Sequence, residues 1–303
     1  MRFDEGAELD TSQVDDQRGG GGIGRWAGAG GGVSIIGLLL YFLLTQFGGN
    51  TGAPVSGGLS GLGSGQKVDD TQISQSCRTG HDANTARDCE VVGVVNSLDA
   101  YWSSAFASSG KTYRKPRISF FNGGVNTGCG GATSDVGPFY CPADREAYID
   151  LTFFDELQQR FGTQGGPFAR AYVVAHEYGH HVQNLLGTSQ RVRAGETGPT
   201  SGSVRLELQA DCYAGVWAKH ASTTPGPSGH PLIIDVTDAD VRAALDTAAH
   251  IGDDYIQTQL GGGRVNESKF THGSSEQRQK WYTTGYQSGD PKSCGTFDTN
   301  DLG

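Results

Sequence analysis

Basic residues are scarce in this sequence. Its 303 residues include 23 Lys and Arg against 33 Asp and Glu, which gives a formal net charge of −10 at pH 7. No Lys- or Arg-rich run occurs in it. Proteins that bind nucleic acids present a basic patch to the phosphates, so the composition argues against a nucleic-acid partner.

Cysteine is absent from the first 76 residues, and no C-x-x-C pair occurs. The missing C-x-x-C spacing argues against a zinc site built from cysteine thiolates. The six cysteines that follow are an even number, which predicts disulfides in an oxidising compartment. Cys77–Cys89 and Cys129–Cys141 would each close a short loop, and elimination then leaves Cys212–Cys294. Other pairings remain open.

Long apolar runs are rare as well. The longest, "VSIIGLLLYFLLTQF", covers residues 33–47, and extending it back to Trp26 gives 22 uncharged residues. A membrane-spanning helix needs about 20. Residues 26–47 are therefore predicted to be a transmembrane anchor, with a buried helix or a cleaved signal peptide as alternatives.

Glycine is abundant, at 48 residues, and much of it flanks the apolar run. Such stretches bury too little apolar surface to offset the entropy of ordering. Residues 1–25 are therefore predicted to be a disordered tail and residues 48–76 a flexible linker.

The basic residues nearest the apolar run predict its orientation. Arg18 and Arg25 precede it, whereas the first basic residue after it is Lys67. The excess of Lys and Arg marks the cytoplasmic side. The amino terminus is therefore predicted to be cytoplasmic, and a domain over residues 77–303 to face the periplasm or the cell exterior.

Hydrophobic periodicity predicts a mixed α+β domain. The expected helices cover residues 86–109, 167–186, 201–221, 238–260 and 274–287, and the expected strands cover residues 117–121 and 146–154. Residues 147–151 are a candidate strand for pairing with an extended substrate, although a plain core strand is at least as plausible.

The segment "RAYVVAHEYGHHVQNLLG", residues 170–187, places histidines and a glutamate inside an apolar helix. His176 and His180 are one turn apart on the same helix face, a spacing that suits two zinc ligands. Glu177 lies beside them, where it can act as a general base without being a ligand. This is the H-E-x-x-H pattern of zinc hydrolases. A pair of core histidines is the alternative interpretation.

A catalytic zinc needs a third protein ligand. Glu207 begins "ELQAD" in an apolar helix, and Asp211 follows one turn later as an acceptor for a ligand histidine. Glu207 is therefore predicted to be the third ligand. The other candidates are Glu196, His220, His230 and His250.

H-E-x-x-H followed by E-x-x-x-D resembles the gluzincin zinc peptidases, the thermolysin-like class with a His, His, Glu metal site. Longer stretches, among them "AHEYGHHVQNLLG", "SVRLELQADCYAGVWA" and "FTHGSSEQRQKWYTTGYQSGDPKSC", resemble the bacterial neutral zinc metallopeptidase family over roughly residues 85–297. The resemblance implies a mainly helical, zincin-like fold with a small sheet, one Zn²⁺ per chain, and peptidase activity.

The expected function is thus zinc-dependent hydrolysis of peptide bonds in envelope or extracellular proteins through a zinc-activated water. Glu177 would be general base and then acid. His272 lies in a stretch that resembles the Thr-His stretch near the carboxyl terminus of other integral-membrane gluzincins, and it is a candidate for stabilising the oxyanion. The alternative is that it caps the helix beginning near Ser274. Asp253 and Asp254 are interpreted as a solvated helix face or partners of an arginine, not as a calcium site. A zinc-binding scaffold without activity and a cell-wall peptide amidase remain alternatives.

Overall fold

The chain is α+β, with a small sheet and a larger helical part. The computed structural model describes residues 1–18, 71–193 and 195–303. The helices are α1 (Thr71–Ser76), α2 (Gly80–Thr85), α3 (Arg87–Ser108), α4 (Phe153–Gln159), α5 (Pro167–Leu186), α6 (Gly202–His220), α7 (Asp238–His250), α8 (Asp253–Tyr255) and α9 (Ser275–Ser288). The strands are β1 (Arg2–Phe3), β2 (Val14–Asp16), β3 (Arg117–Phe120), β4 (Gly124–Thr127), β5 (Gly130–Thr133), β6 (Phe139–Cys141), β7 (Glu146–Ile149) and β8 (Ile233–Asp235).

The main sheet has four strands in the order β2-β3-β7-β6. Strands β2, β3 and β7 run parallel, and β6 pairs antiparallel with β7. This order leaves β6 at the edge of the sheet nearest α5, which it contacts. The candidate role of residues 147–151 in substrate pairing is wrong, because β7 lies between two partner strands. The alternative, a core strand, is confirmed.

Two predicted elements end earlier than expected. The strand predicted over residues 146–154 stops at Ile149, because Asp150 Oδ1 accepts hydrogen bonds from the Thr152 N–H at 2.9 Å and its hydroxyl at 2.7 Å. That turn leads into α4. The helix predicted over residues 238–260 is interrupted after His250, where Gly252 passes so close to Ser275 that a Cβ would clash with its backbone. The other four predicted helices agree with the structure to within a residue. Helices α1, α2 and α4 were not predicted, and α1 lies within residues 48–76, predicted to be a flexible linker.

The amino-terminal segment belongs to the fold. Strand β1 pairs antiparallel with β8, and β2 forms one edge of the main sheet. The predicted disorder of residues 1–25 is therefore wrong for Met1–Arg18. Glycine content misled the prediction, because the glycines that dominate the tail begin only at residue 19.

Glycines set the spacing between the helices around the site. A Cβ at Gly179 of α5 would lie 2.8 Å from the Ala210 Cα of α6. At Gly215 of α6 and Gly285 of α9 a Cβ would clash with the backbone of the opposite helix. A close backbone approach therefore accounts for Gly179 inside a helix.

All three predicted disulfides are present: Cys77–Cys89, Cys129–Cys141 and Cys212–Cys294. The last one ties α6 to the chain just beyond α9. The predicted anchor, residues 26–47, lies outside the described residues. Among the helices that the structure describes, none is long and apolar enough to cross a membrane.

Candidate metal and active site

Helix α5 carries the H-E-x-x-H residues at the centre of the domain. Pro167 occupies its first turn and Gly187, with φ of 76°, ends it in the left-handed conformation that glycine adopts readily. His176 and Glu177 are each only 7% exposed. The apolar residues of α5 pack against α3 and α6. This packing orients the polar residues of α5 toward the candidate site.

Three of the predicted site residues converge on one point. The His176 Nε2 atom lies 3.1 Å from Glu207 Oε2, and the His180 Nε2 atom lies 3.5 Å from Glu207 Oε1. Two donors on a tetrahedral zinc, with bonds of about 2.0–2.1 Å, are about 3.3 Å apart. The donor types and their separations therefore fit a zinc ion held by two imidazoles and one carboxylate.

The same three residues are one of two candidate metal-binding groups in the described part of the chain. The other group comprises Cys77, Asp88 and Cys89. Its two cysteines form a disulfide with each other, so they offer no thiolate to a metal.

Asp211 fixes the orientation of His176. Its Oδ1 atom is 2.8 Å from His176 Nδ1 and accepts a 2.6 Å hydrogen bond from the Tyr172 hydroxyl. With Nδ1 engaged, Nε2 points at Glu207. Asp211 is fully buried, and burial would raise its pKa, but Arg278 and His176 lower the pKa to about 2.

Arg278 of α9 is a site residue that the sequence analysis missed. Its guanidinium is buried and donates to both carboxylate oxygens of Asp211, at 2.8 and 2.9 Å. The residue pattern of α9 nevertheless indicates that Arg278 is buried. Arg278 occupies the position that starts the apolar stripe continued by Trp281, Tyr282 and Gly285, so it had to face the core.

Gln183 plays the corresponding part for His180 and was also missed. Its Oε1 atom lies 2.9 Å from His180 Nδ1. Its Nε2 donates to the Leu206 carbonyl at 2.6 Å, which fixes the amide orientation from α6. His180 therefore presents Nε2 to Glu207, as His176 does.

Glu177 lines the same groove as the three candidate ligands. Burial raises the pKa of its carboxyl, while the two neighbouring histidines lower it less. A carboxyl whose pKa is raised by burial is suited to taking and returning a proton.

His272 also lines the groove, and Asp253 holds it there. Asp253 Oδ2 accepts the backbone N–H groups of Thr271, His272 and Gly273 at 2.7–3.0 Å. Its Oδ1 lies 3.3 Å from His272 Nδ1. Asp253 is only 2% exposed, so the interpretation of this residue as part of a solvated helix face is wrong. The alternative for His272, a helix cap, also fails, since the Ser274 side chain caps α9.

Burial would lower the pKa of His272, but the carboxylates of Glu207 and Asp253 outweigh burial and raise the pKa. The side chain is therefore disposed to carry a positive charge facing the groove. No local pattern identifies its partner, because Asp253 precedes it by 19 residues.

The groove itself is a cavity of about 180 Å³. Most of its lining is apolar, and its polar lining includes His176, Glu177, His180, Glu207, His272 and Arg278. Strand β6 forms part of one wall. The apolar lining includes Val136, Phe139, Phe153, Phe161, Val173, Ile251 and Ile256.

The remaining candidates lie away from this centre. Glu196 accepts a hydrogen bond from the Gly202 N–H at the start of α6. His220 bonds the Gly289 carbonyl and His250 the Asp246 carbonyl, and His230 is exposed. His181 is fully buried, where it contacts the Tyr140 hydroxyl and the Arg114 carbonyl, and burial lowers its pKa to about 4.

Comparison with known proteins gives a consistent result. A family model described as "Putative neutral zinc metallopeptidase" matches residues 1–297. The uncharacterized protein Rv2575 of Mycobacterium tuberculosis is 54% identical over 228 residues, which cover 75% of this chain and 76% of that protein. The uncharacterized protein YpfJ of Escherichia coli K12 is 42% identical over 244 residues, which cover 79% and 80%. No solved structure matches the chain.

Proposed function

The chain belongs to the family described as "Putative neutral zinc metallopeptidase", and from this premise we propose that it hydrolyses peptide bonds at a zinc site formed by His176, His180 and Glu207. One observation carries the proposal. The three donor groups converge on one point at zinc-like separations, in a groove that Glu177 and His272 also line.

The metal and the carboxyl group have separate tasks in the proposed reaction. Zn²⁺ at such a site supplies Lewis-acid chemistry: it lowers the pKa of water from 15.7 toward about 7 and polarises a carbonyl oxygen. Glu177 takes the proton from the attacking water and later delivers it to the leaving amine. Its burial supports this role, because a carboxylate with a raised pKa is a stronger base than an exposed one.

His272 is the proposed donor to the oxyanion. The charge that develops on the carbonyl oxygen is stabilised by a donor already fixed in place. Asp253 provides that fixation through its contact with His272 Nδ1, which leaves Nε2 free to face the substrate.

The walls of the groove suggest how a substrate would bind. Strand β6 contributes Phe139 and Tyr140 to the groove. The apolar lining favours a peptide with a bulky apolar side chain beside the scissile bond.

The substrates we propose are proteins or peptides of an oxidising compartment, either the periplasm or the cell exterior. The three disulfides support that location, since such bonds persist where thiols are not kept reduced. Attachment to the membrane through residues 26–47 remains a prediction from the sequence.

The test uses the full-length chain, purified after expression in an oxidising compartment. We would measure zinc per chain by elemental analysis and cleavage of casein, an unstructured protein. Glu177→Gln and Glu207→Ala are compared with Glu267→Gln, which changes an exposed glutamate away from the groove.

We expect wild type and Glu267→Gln to bind zinc and cleave casein. Glu177→Gln should keep zinc but lose cleavage, whereas Glu207→Ala should lose both. Zinc binding without cleavage of casein or any peptide offered would favour the scaffold, and cleavage restricted to cell-wall peptides would favour the amidase. Failure of the wild type to bind zinc would refute the ligand assignment.

A further inference from the structure

Residues Met1–Arg18, hereafter the amino-terminal segment, are tied to the domain along their whole length. Asn84 of α2 bonds both the N–H and the carbonyl of Phe3, at 2.9 and 3.1 Å. Asn96 of α3 does the same for Asp10, at 2.7 and 2.8 Å. Paired contacts of this kind hold a backbone in one register, as a sheet ladder does.

Apolar packing accompanies these hydrogen bonds. Phe3 and Val14 are each 1% exposed. A Cβ at Gly93 of α3 would lie 2.6 Å from the Phe3 ring, and one at Gly80 would clash with the Asp4 carbonyl. Two helices of the domain thus have glycine where the amino-terminal segment passes, and any larger residue would push the segment away.

The amino-terminal segment also reaches the back of the metal-binding helix. Gln13 is buried and donates a 3.2 Å hydrogen bond to the hydroxyl of Tyr178, the residue after Glu177. On the far edge of the main sheet, the Gln17 N–H donates to the Phe120 carbonyl at 2.8 Å. The segment therefore completes the scaffold on which the site rests.

These contacts conflict with the topology predicted from the basic residues. A single membrane crossing anywhere between Arg18 and Thr71 would put the amino-terminal segment and the domain on opposite sides. Their contacts require the same side. That requirement is unchanged if the segment docks on a second copy of the chain, because both copies are oriented alike.

We infer that the amino-terminal segment resides on the same side of the membrane as the metal site, and not on the opposite, cytoplasmic side. Because the disulfides put the domain on the oxidising side, the amino terminus is exported with it. This inference does not depend on whether the protein cleaves peptides.

The experiment labels single introduced cysteines in the full-length chain. All six native cysteines are paired in disulfides, so an added thiol is the reactive one. Ser12→Cys reports on the amino-terminal segment and Ser104→Cys on the domain, and both positions are exposed. Each variant is treated with a membrane-impermeant maleimide in cells with a permeabilised outer envelope, before and after detergent lysis.

We expect both variants to be labelled to the same extent before lysis. The inference is overturned if Ser104→Cys is labelled before lysis and Ser12→Cys only afterwards. Labelling of both variants only after lysis would contradict export of the amino terminus, since the segment and the domain would then both be cytoplasmic.

A second measurement tests the docking itself on the purified chain. The side chain of Val14 is buried, whereas that of Ser12, two residues earlier, is exposed. We expect Ser12→Cys to react at once and Val14→Cys only after denaturant is added. Equal reaction rates would show an undocked segment and would overturn the inference.

Discussion

Replacing Arg278 by methionine tests whether the buried guanidinium supports the metal site or only the fold. Methionine keeps the apolar length of the side chain but removes both hydrogen bonds to Asp211. The carboxylate would then keep only the Tyr172 hydroxyl and His176 Nδ1 as partners, at 2.6 and 2.8 Å.

Two magnitudes follow from this geometry. Breaking one side of a buried ion pair lowers the free energy of unfolding by about 3–5 kcal/mol. Loosening a group that orients a metal ligand lowers metal affinity about 10–100-fold, which corresponds to roughly 1.4–2.8 kcal/mol of binding free energy. We therefore expect the zinc dissociation constant of Arg278→Met to rise by that factor in addition to the loss of stability.

Arg170→Met is the matched control. Arg170 lies on α5 and pairs with the buried carboxylate of Glu90, at 2.6 and 2.9 Å, without touching a candidate ligand. It should destabilise the fold while leaving the zinc dissociation constant of the folded chain unchanged.

The assay combines urea unfolding of the chelator-treated protein with zinc titration against a fluorescent competitor. Equal zinc affinities for Arg278→Met and Arg170→Met would refute the reasoning. If Arg278→Met does not fold, Arg278→Lys replaces it, because lysine keeps the charge but not the paired donors.

Three further predictions concern other buried groups. His272→Ala should reduce kcat for peptide cleavage by about 10²–10³-fold, and Asp253→Asn should reduce it by less. Zinc content should be unchanged in both variants, and loss of zinc in either one would contradict the proposed role. Burial would lower the pKa of His176, but the carboxylates of Asp211 and Glu207 outweigh burial and raise it to about 10. A proton therefore competes with zinc at neutral pH, and the zinc dissociation constant should rise about tenfold or more for each pH unit between pH 8 and pH 6. A dissociation constant that does not change with pH would contradict this. Burial raises the pKa of Asp99 from 3.8 to about 6, so the folded chain keeps a proton that the unfolded chain releases. This carboxyl should lower the free energy of unfolding by roughly 2.4 kcal/mol between pH 4 and 7. The fall should be smaller by that amount in Asp99→Asn, and urea unfolding that shows the same pH dependence in both proteins would refute the prediction.

The sequence by itself determined the features that depend on neighbours a few residues apart. The helix pattern located α5, α6 and α9 to within a residue, because amphipathic spacing is a local property. The same spacing identified His176 and His180, since two residues four apart on a helix share a face in any fold. Short loops likewise identified the disulfides Cys77–Cys89 and Cys129–Cys141.

Only the tertiary structure decided the features that depend on distant partners. Asp253, Arg278 and Gln183 acquire their partners from helices that approach them in space. The apolar stripe of α9 indicates that Arg278 faces the core, but no local pattern says which polar group it meets there. The main sheet recruits β2 across more than 100 residues of chain to pair with β3. Composition suggested a disordered tail there, because a short strand with few apolar residues is stabilised only by the surface onto which it docks.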